Sequence, residues 1–210
     1  MKITCFTVGP LECNCYIVAD EAARECAVID PGGDADLIIR QCESASLTPR
    51  FIINTHAHAD HIGANAELKE RFPDAKLCIG RADAAQLADP VRNLCAMIGL
   101  SGKMPAPDVL LEEGSTIEFG SCLLTVIETP GHTPGSVSLI AEDEGRAAVF
   151  CGDLIFAGGV GRTDFPGGSF STLRRSIQEK ILKLPEETLL LPGHGESTTV
   201  GREKRFGYPL

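Results

Sequence analysis

The sequence predicts a mixed α/β protein in which two β-sheets pack together and helices cover their outer faces. Short β-rich runs, bounded by Gly, Pro, Asn or Asp, alternate with helical patterns, and this order occurs in both halves of the chain. The 210 residues are 43% hydrophobic, which is enough to bury a sizeable core. We therefore expect a single domain over residues 1–210.

In the first half, runs rich in β-branched and apolar residues predict strands because turn residues bound each of them. The predicted strands cover residues 3–8, 15–19, 26–29, 51–54 and 76–79. A helical pattern opens at Asp34 and places Leu37, Ile38 and Cys42 on one face. Two more helices are predicted over residues 62–71 and 82–87.

The second half returns to strands and ends with a helix and a strand. The predicted strands cover residues 116–119, 123–128, 136–141, 147–150 and, as the last one, 189–191, and the helix covers residues 172–184. Residues 89–108 contain several prolines and glycines and predict a long connection with room for one helical turn. Connections of this length are often lids or binding loops, and a simple crossover between the halves fits equally well.

Charge and hydropathy argue against several classes of partner. The formal net charge of −10 at pH 7 repels nucleic acid and anionic membranes unless a local basic patch overrides it. The dense basic run over residues 201–205 is short, is interrupted by a glutamate and is typical of a solvated chain end. No stretch approaches the ~20 apolar residues of a membrane helix, and the N-terminus does not resemble a signal peptide. We expect a cytoplasmic protein that binds neither nucleic acid nor membrane.

Nine cysteines are scattered through the chain without a CxxC pair. An odd number in a domain of this size argues against a disulfide framework and favours reduced thiols that pack as small apolar groups. Cys13 and Cys15 form the only close pair and point to one face of an apparent strand. Packing is the expected role for this pair, and a metal or redox role is the alternative.

The five histidines all occur just after predicted strands. An HxHxDH motif (residues 56–61) directly follows the strand over residues 51–54. In an extended segment, residues two apart share a side, so His56, His58 and Asp60 can start on one face. His61 lies where the chain turns into a helix and diverges from them. Because one cation cannot easily use all four side chains, the spacing predicts two adjacent cations.

His132, Asp153 and His194 are placed in the same way. Each follows the end of a predicted strand and lies beside a glycine, which lets backbone come close. Taken alone, His194 fits a packing role as well as a ligand role, but the shared placement favours metal binding. Imidazole and carboxylate together suit zinc, iron or manganese better than calcium. We predict two divalent cations, with zinc as the first choice, held by His56, His58, Asp60, His61, His132, Asp153 and His194.

The segment THAHADH (residues 55–61), with the later ligand residues in order, resembles the signature of the metallo-β-lactamase superfamily. The resemblance covers nearly the whole chain. Residues 130–136, 152–156 and 161–164 look most like the glyoxalase II (hydroxyacylglutathione hydrolase) branch and its short bacterial relatives. The resemblance implies a four-layer αββα sandwich with the metals at one edge of the sheets. It also implies a division of the ligands: metal one takes His56, His58 and His132, metal two takes Asp60, His61 and His194, and Asp153 bridges.

Two departures from the family bear on the substrate. Full-length glyoxalase II carries a C-terminal helical region with glutathione contacts, whereas this chain ends about 16 residues after His194. We expect that region to be absent, which leaves a glutathione thioester open as the substrate. True β-lactamases are normally exported, and nothing here directs export, so lactam hydrolysis is not the expected activity.

The expected chemistry is hydrolysis of a small-molecule thioester. A divalent cation can lower the pKa of a bound water from ~15.7 to ~7 and can polarise a carbonyl group. Asp60 is predicted to orient the attacking hydroxide and Asp153 to bridge the cations, and a thiolate leaves with little need for protonation. Arg162 follows a glycine-rich loop past Asp153, where its guanidinium could hold a substrate carboxylate. A structural pair with Asp164 is the alternative.

Other activities share these motifs. Persulfide dioxygenases resemble this chain, including the Gly-Arg-Thr-Asp stretch, and use a single iron held by residues that match His56, His132 and Asp153. That chemistry leaves HxHxDH intact, so the motif does not separate the two activities. The net charge disfavours a nuclease. A purely structural zinc site is disfavoured because such sites are usually closed and rich in cysteine. The sequence carries no signal for the oligomeric state.

Overall fold

Two six-stranded sheets form the centre of the computed structural model, which describes residues 1–99, 104–143 and 145–206. The first sheet follows chain order and consists of β1 (Lys2–Val8), β2 (Cys13–Asp20), β3 (Glu25–Ile29), β4 (Thr48–Asn54), β5 (Lys76–Gly80) and β6 (Val109–Leu111). Its first three strands are antiparallel, whereas β3 to β6 are parallel. The carboxyl ends of the parallel strands therefore meet at one edge of the sheet.

The second sheet is built from the second half of the chain. Its strands are β7 (Thr116–Phe119), β8 (Cys122–Glu128), β9 (Val137–Asp143), β10 (Arg146–Gly152), β13 (Leu189–Pro192) and β14 (Thr198–Thr199). Between β10 and β13 the chain forms a separate two-stranded ribbon of β11 (Ile155–Phe156) and β12 (Gly159–Val160). The spatial order is β14-β13-β10-β9-β8-β7. β10 and β13 are parallel neighbours, and the other pairs are antiparallel.

The described part of the chain contains six helices, and the four longer ones pack on the outer faces of the sheets. The six helices are α1 (Ala35–Ser44), α2 (Ala59–Ile62), α3 (Asn65–Arg71), α4 (Cys95–Ile98), α5 (Phe170–Glu179) and α6 (Val200–Phe206), with short 3-10 turns at Arg81–Asp83 and Ile181–Lys183. In α5, the side chain of Ser169 caps the first turn by accepting a hydrogen bond from Thr172 N at 3.4 Å. In the described part of the chain, no helix has both the length and the apolar character needed to cross a membrane.

Adjacent residues of the central strands bury opposite faces. In β3, Ile29 packs between the sheets and Val28 packs outward against α1 and α3. In β10, Phe150 packs between the sheets and Val149 packs outward against α5. Each such side chain contributes roughly 1.5–3 kcal/mol when it is removed from water. Because both faces are covered, these strands are continuous apolar runs, and the result is the expected αββα sandwich.

The structure corrects several element predictions. The helix predicted over residues 62–71 is two helices, because the chain leaves helical geometry at Ala64 (φ −100°, ψ 8°), whose N–H donates to Pro31 O at 2.9 Å. The predicted helix over residues 82–87 is a 3-10 turn followed by further turns. The helix predicted over residues 172–184 begins at Phe170, ends at Glu179 and is followed by a 3-10 turn.

Other elements were absent from the sequence predictions. The strand β6 and the ribbon β11–β12 are additional, and β13 is not the last strand because β14 follows it. The basic run over residues 201–205 lies in α6 and is not simply a solvated end, since Glu203 is fully buried there and bonds Thr198 Oγ1 and Gly158 N. The predicted long connection contains α4, and its residues 100–103 lie outside the described residues.

Candidate metal centre

The seven predicted ligands come together at one edge of the two sheets. The HxHxDH motif follows β4, His132 follows β8, Asp153 follows β10 and His194 follows β13. The loops that follow strands of the two sheets meet there, since His61 Nε2 after β4 lies 3.4 Å from Asp153 Oδ1 after β10. Side chains from segments far apart in the sequence therefore lie close to the HxHxDH motif, as predicted.

His56, His58 and His132 form the three-histidine group. Their donor nitrogens lie within 4.8 Å of one another, and His58 Nδ1 is 2.8 Å from His132 Nε2. All three side chains are buried. Burial lowers the pKa of His56 well below its usual value, helped by the neighbouring histidines, and lowers the pKa of His58 to about 3, helped mainly by His132. At neutral pH these two rings are therefore neutral and free to offer a lone pair.

Asp60, His61 and His194 form the mixed group. His194 Nε2 lies 3.0 Å from Asp60 Oδ2, and His61 Nε2 lies 3.7 Å from the same oxygen. Burial opposes charge on His61, but Cys13, Asp153 and other acidic neighbours raise its pKa well above the usual value. Burial also opposes charge on His194, but its hydrogen bond to Asp60 and the negative charges of Asp153 and Asp60 together raise its pKa. The pKa of Asp60 is lowered because the two histidines outweigh its own burial.

Asp153 lies between the two groups. Its Oδ1 is 3.4 Å from His61 Nε2 and 3.8 Å from His194 Nε2, while its Oδ2 is 3.6 Å from His132 Nε2. The carboxylate thus presents one oxygen to each group. Although burial opposes ionisation, the surrounding histidines lower the pKa of Asp153. Asp153 is therefore placed where both groups can reach it.

Unpaired polar atoms test whether cations fit these residues. Among the described residues, His56 Nε2, His61 Nε2 and Asp153 Oδ1 are buried and have no hydrogen-bond partner. Buried polar atoms are nearly always paired, so three orphans in one cluster indicate a missing partner that accepts lone pairs. Ligands at ~2.0–2.1 Å from a zinc-like cation lie roughly 3.0–3.4 Å apart. The 2.8–3.8 Å separations measured within and between the groups match that spacing, so the residues fit two divalent cations.

A buried carboxylate that the sequence prediction missed orients two of these histidines. Asp30 Oδ2 lies 3.0 Å from His61 Nδ1 and accepts a hydrogen bond from Thr55 Oγ1 at 2.7 Å. Thr55 Oγ1 in turn lies 3.2 Å from His56 Nδ1. Holding the Nδ1 atoms in this way turns both Nε2 atoms toward the cluster, which is how a metal-binding histidine is usually oriented. Asp30 also follows a strand, β3, and this placement was the available signal.

A second buried carboxylate, Asp83, joins the two loops of the three-histidine group. It accepts hydrogen bonds from Ala57 N at 3.1 Å on one loop, and from Thr133 Oγ1 and Gly135 N at 2.7 Å each on the other. Gln86 Nε2 donates a further bond at 2.8 Å. Burial raises the pKa of Asp83 in spite of these bonds. No local pattern marks this residue, because its partners come from distant segments.

Backbone carbonyls and glycines complete the setting of the ligands. His132 Nδ1 donates to Arg162 O at 2.7 Å, and His194 Nδ1 donates to Glu12 O at 3.2 Å, which leaves Nε2 of each ring for a cation. Gly193 passes beneath the cluster. A Cβ there would lie 2.6 Å from His61 Cε1 and closer still to Asp153 Oδ1, so only glycine fits.

Cys13 and Cys15 have different environments. Cys15 packs in the core between the first sheet and its helices. Cys13 Sγ lies 3.6 Å from His61 Nδ1, on the side of the ring that also faces Asp30. Burial raises the pKa of Cys13 to about 11, so it carries a proton at neutral pH. Neither thiol faces the cleft above the cluster.

An open cleft of about 330 Å³ lies above the ligands. Its floor includes His58, Asp60, His132, Asp153 and His194. Arg162 lines the rim, where it makes two 2.7 Å bonds to Asp164 and stacks with its guanidinium carbon 3.9 Å from the Phe165 ring centroid. The alternative pairing with Asp164 is therefore present, and it lowers the pKa of Asp164 to about 2.

Comparison with known families agrees with this arrangement. The family model described as the metallo-beta-lactamase superfamily matches residues 8–194. This chain belongs to the metallo-β-lactamase superfamily. The predicted superfamily and its sandwich fold are confirmed. The matched segment runs from the end of β1 to the last predicted ligand of the metal centre.

Three curated relatives within the superfamily differ in their described activities. The chain is 40% identical to the probable metallo-hydrolase YqgX of Bacillus subtilis, covering 97% of this chain and 95% of the relative. It is 35% identical to the hydroxyacylglutathione hydrolase GloC of Haemophilus influenzae, covering 98% and 96%. It is 34% identical to the human mitochondrial persulfide dioxygenase ETHE1, covering 88% of this chain and 65% of the relative. A glyoxalase II-like branch is thus among its relatives.

Two solved superfamily structures are closely similar over the whole chain. One is described as the B3 metallo-beta-lactamase BLEG-1, with a TM-score of 0.90, 36% identity and 97% coverage of each chain. The other is TTHA1623 in a di-iron-bound form, with a TM-score of 0.86, 36% identity, and coverage of 99% of this chain and 100% of that one. The di-iron form is a property of TTHA1623, and the metal of this chain is a separate question.

Proposed function

We propose that this chain is a metal-dependent hydrolase that cleaves a small-molecule thioester, with the seven ligands divided as described between two divalent cations. The observation that carries the proposal is Asp153, whose two carboxylate oxygens face separate ligand groups at the floor of an open cleft. A shared carboxylate serves a pair of cations better than a single one. The open floor leaves room for a water and a carbonyl group, as a catalytic site requires.

In the proposed reaction, water adds to the acyl carbon and the carbon–sulfur bond breaks. The products are a carboxylate and a thiol, and no electron is gained or lost. When bound, the cations supply Lewis acidity, which makes a water more acidic and a carbonyl more electrophilic. A thiol has a pKa of ~8.5, so it leaves as a thiolate with little help from an acid.

The chain's own side chains position the water and the carbonyl. Asp60 lies on the floor of the cleft with its pKa lowered, so it is ionised at neutral pH and can accept a hydrogen bond from the attacking water. His132 and His194 keep their rings fixed through Nδ1 bonds to backbone carbonyls, which avoids reorganisation during the reaction. Arg162, at the rim, is proposed to contact the substrate only if it exchanges Asp164 for a substrate carboxylate.

The direct test combines elemental analysis with a substrate panel. Protein purified without added metal is analysed for zinc, iron and manganese, and then assayed for thiol release from several thioesters, including lactoylglutathione. We expect about two equivalents of metal per chain and thiol release from at least one thioester. A cephalosporin serves as the comparison substrate and is expected to remain intact. Protein that holds two equivalents and cleaves no thioester in the panel would contradict the proposal.

A second candidate is oxidation of a persulfide by molecular oxygen at one iron. The similarity to ETHE1 favours it, and Asp153 Oδ2 lies 3.6 Å from His132 Nε2, as two ligands of a single cation would. In that case His56, His132 and Asp153 would hold the iron. The expected result is then one iron per chain and oxygen uptake on addition of glutathione persulfide.

Matched variants of one ligand from each group separate the two candidates. For the two-metal hydrolase, H58A and H61A should each lower the metal content by about one equivalent and should each abolish most thioester cleavage. For the one-iron oxygenase, neither side chain belongs to the ligand set, so both variants should keep their iron. Circular dichroism verifies that each variant is folded before its metal is counted.

A further inference from the structure

One wall of the cleft above the metal centre is apolar. Leu11, Leu94, Met97 and Phe165 line it together with the ligands. The side chains of Leu11 and Met97 are 49% and 70% exposed, although both are fully apolar. Exposed apolar groups that share one concave surface usually mark a place where something apolar binds.

The chain holds part of this wall in place by buried contacts. Asn93 is buried, donates to Leu87 O at 3.0 Å and accepts from Cys95 N at 2.9 Å. Cys95 packs beneath the wall against Leu87 and other buried residues. Leu94 adopts a left-handed conformation with φ of 65°, which is unusual for leucine and carries a cost in backbone strain. The outward placement of Leu94 and Met97 is therefore fixed by the residues around them.

Apart from the proposed metal ions, the described lining of the cleft offers little to an anionic substrate group. Arg162 is the one lysine or arginine among the described residues that line it, and both of its bonds go to Asp164. Its guanidinium face is occupied by the Phe165 ring. The chain as a whole carries a net charge of −10. A polyanionic thioester would be repelled at long range and, away from the proposed metal ions, would find the one basic side chain of the described lining already paired.

We propose that this cleft selects thioesters that carry a hydrocarbon chain, which packs against Leu11, Leu94 and Met97. The inference rests on the proposed thioester hydrolysis and names the substrate class of that site. The hydrocarbon chain can belong to the acyl group or to the thiol, since either could lie along the wall while the carbonyl faces the ligands. Leu11 and Met97 are then specificity-determining residues.

Two substrate series show whether the hydrocarbon chain that binds the wall belongs to the acyl group or to the thiol. In the first, acetyl, butanoyl and hexanoyl groups are carried by N-acetylcysteamine; in the second, the acetyl group is carried by ethanethiol, butanethiol and hexanethiol. Each methylene buried against the wall should raise kcat/KM about threefold to fourfold in the series that uses it. The other series should show little dependence on chain length.

The variants L11Q and M97Q, made singly and together, test whether Leu11 and Met97 contact the hydrocarbon chain of the substrate. The double variant should keep the wild-type metal content and should flatten the dependence on chain length, so its kcat/KM falls more for the hexanoyl than for the acetyl thioester of N-acetylcysteamine. L123Q is the matched control, because Leu123 is 48% exposed on β8 and does not line the cleft. This control should keep the wild-type slope.

The outcomes separate this inference from the proposed function. Thioester cleavage with no dependence on chain length in either series overturns the inference and leaves the hydrolase proposal standing. An unchanged slope in the double variant overturns the assignment to Leu11 and Met97. Failure to cleave every member of both series overturns the hydrolase proposal and the inference with it.

Discussion

The three-histidine group and the mixed group each supply three ligands, yet they differ in charge. His56 and His58 are kept neutral by burial, and no carboxylate of the three-histidine group offsets a proton there. In the mixed group, Asp60 belongs to the ligand set and Asp30 lies directly behind His61. The mixed group can therefore hold itself together by ion pairs without a cation, whereas the three-histidine group cannot.

Because of this difference, the two proposed cations would have unequal environments within one cleft. Asp153 presents one oxygen to each group. It thereby puts a negative charge beside the three-histidine group, which has no carboxylate of its own. The groups also have separate supports, since Asp83 joins the loops of the first and Asp30 orients His61 in the second. Each contrast yields a prediction.

Asp153→Ala should have the largest effect, because it removes the carboxylate common to both groups. We expect less than one metal equivalent per chain and a fall in thioester cleavage on the order of a thousandfold or more. Metal content by elemental analysis and kcat/KM by thiol release are the measurements. Asp164→Ala, which removes an exposed carboxylate near the same cleft, is the control and should retain both metals. Persistence of metal and activity in Asp153→Ala would be incompatible with a shared bridge.

Asp83→Asn should affect the three-histidine group more than the mixed group. An amide NH₂ would face backbone or hydroxyl donors that now bond the carboxylate, and a buried mismatch of this kind costs about 1–3 kcal/mol. Loosening the two loops should weaken metal binding by about 10- to 100-fold. Urea unfolding and competitive chelator titration measure the two effects.

The control for that variant is Asp74→Asn on the surface, where the carboxylate is exposed. It should match the wild-type protein in both measurements. If Asp83→Asn instead weakens both cations equally, the supports are not separate.

The metal-free protein should show a pH dependence with opposite signs in the two groups. His58 has its pKa lowered to about 3 by burial, against ~6.5 in an unfolded chain. Its contribution to stability is therefore full above pH ~6.5 and is lost as pH falls toward 3, at up to about 1.4 kcal/mol per pH unit. The raised pKa values of His61 and His194 act in the opposite sense, since their contribution is full below ~6.5 and is lost as pH rises through the folded values.

Urea unfolding in EDTA between pH 4.5 and 8 tests this contrast. His58→Gln should reduce the loss of stability on the acid side, and His194→Gln should reduce the loss on the alkaline side. Parallel pH profiles for the two variants would show that the groups are not distinct in charge.

Arg162→Ala should have the smallest effect. Its ion pair with Asp164 is exposed, and such pairs contribute about 0–1 kcal/mol. We expect a nearly unchanged melting temperature, an unchanged metal content and little change in kcat/KM for a substrate without a carboxylate. A rise in KM confined to carboxylate-bearing thioesters would show that Arg162 exchanges Asp164 for substrate. Thermal unfolding and steady-state kinetics with a matched pair of substrates decide this.

The cluster of proposed ligand residues was predictable because its signals are local. HxHxDH is a compact motif, and His132, Asp153 and His194 each follow an apolar run beside a glycine. The sandwich was predictable for a similar reason, since continuous apolar runs indicate strands buried on both faces. The precise helix ends were not, because breaks such as the one at Ala64 depend on a hydrogen bond to Pro31 O that exists only in the folded chain.

The supporting residues could not be predicted in this way. Asp83 accepts hydrogen bonds from residues 26 and 50 positions away in the chain. The sequence around Asp83 contains no pattern that predicts these partners. Glu203 lies in a polar, basic run that is typical of a solvated end, yet tertiary contacts bury it completely. From the sequence, Leu11 and Met97 would be taken for core residues, because both are apolar. In the folded chain they are exposed and line the cleft above the ligands.

Gly193 limits how this centre could be redesigned. Main chain passes so close beneath Asp153 and His61 that even a methyl group would displace them. A side chain can be replaced by a smaller one to make room for a larger ion, but the main chain at Gly193 cannot. Efforts to change metal preference by protein engineering would have to start from the solvent side, where ligands can be exchanged, and leave the underside untouched.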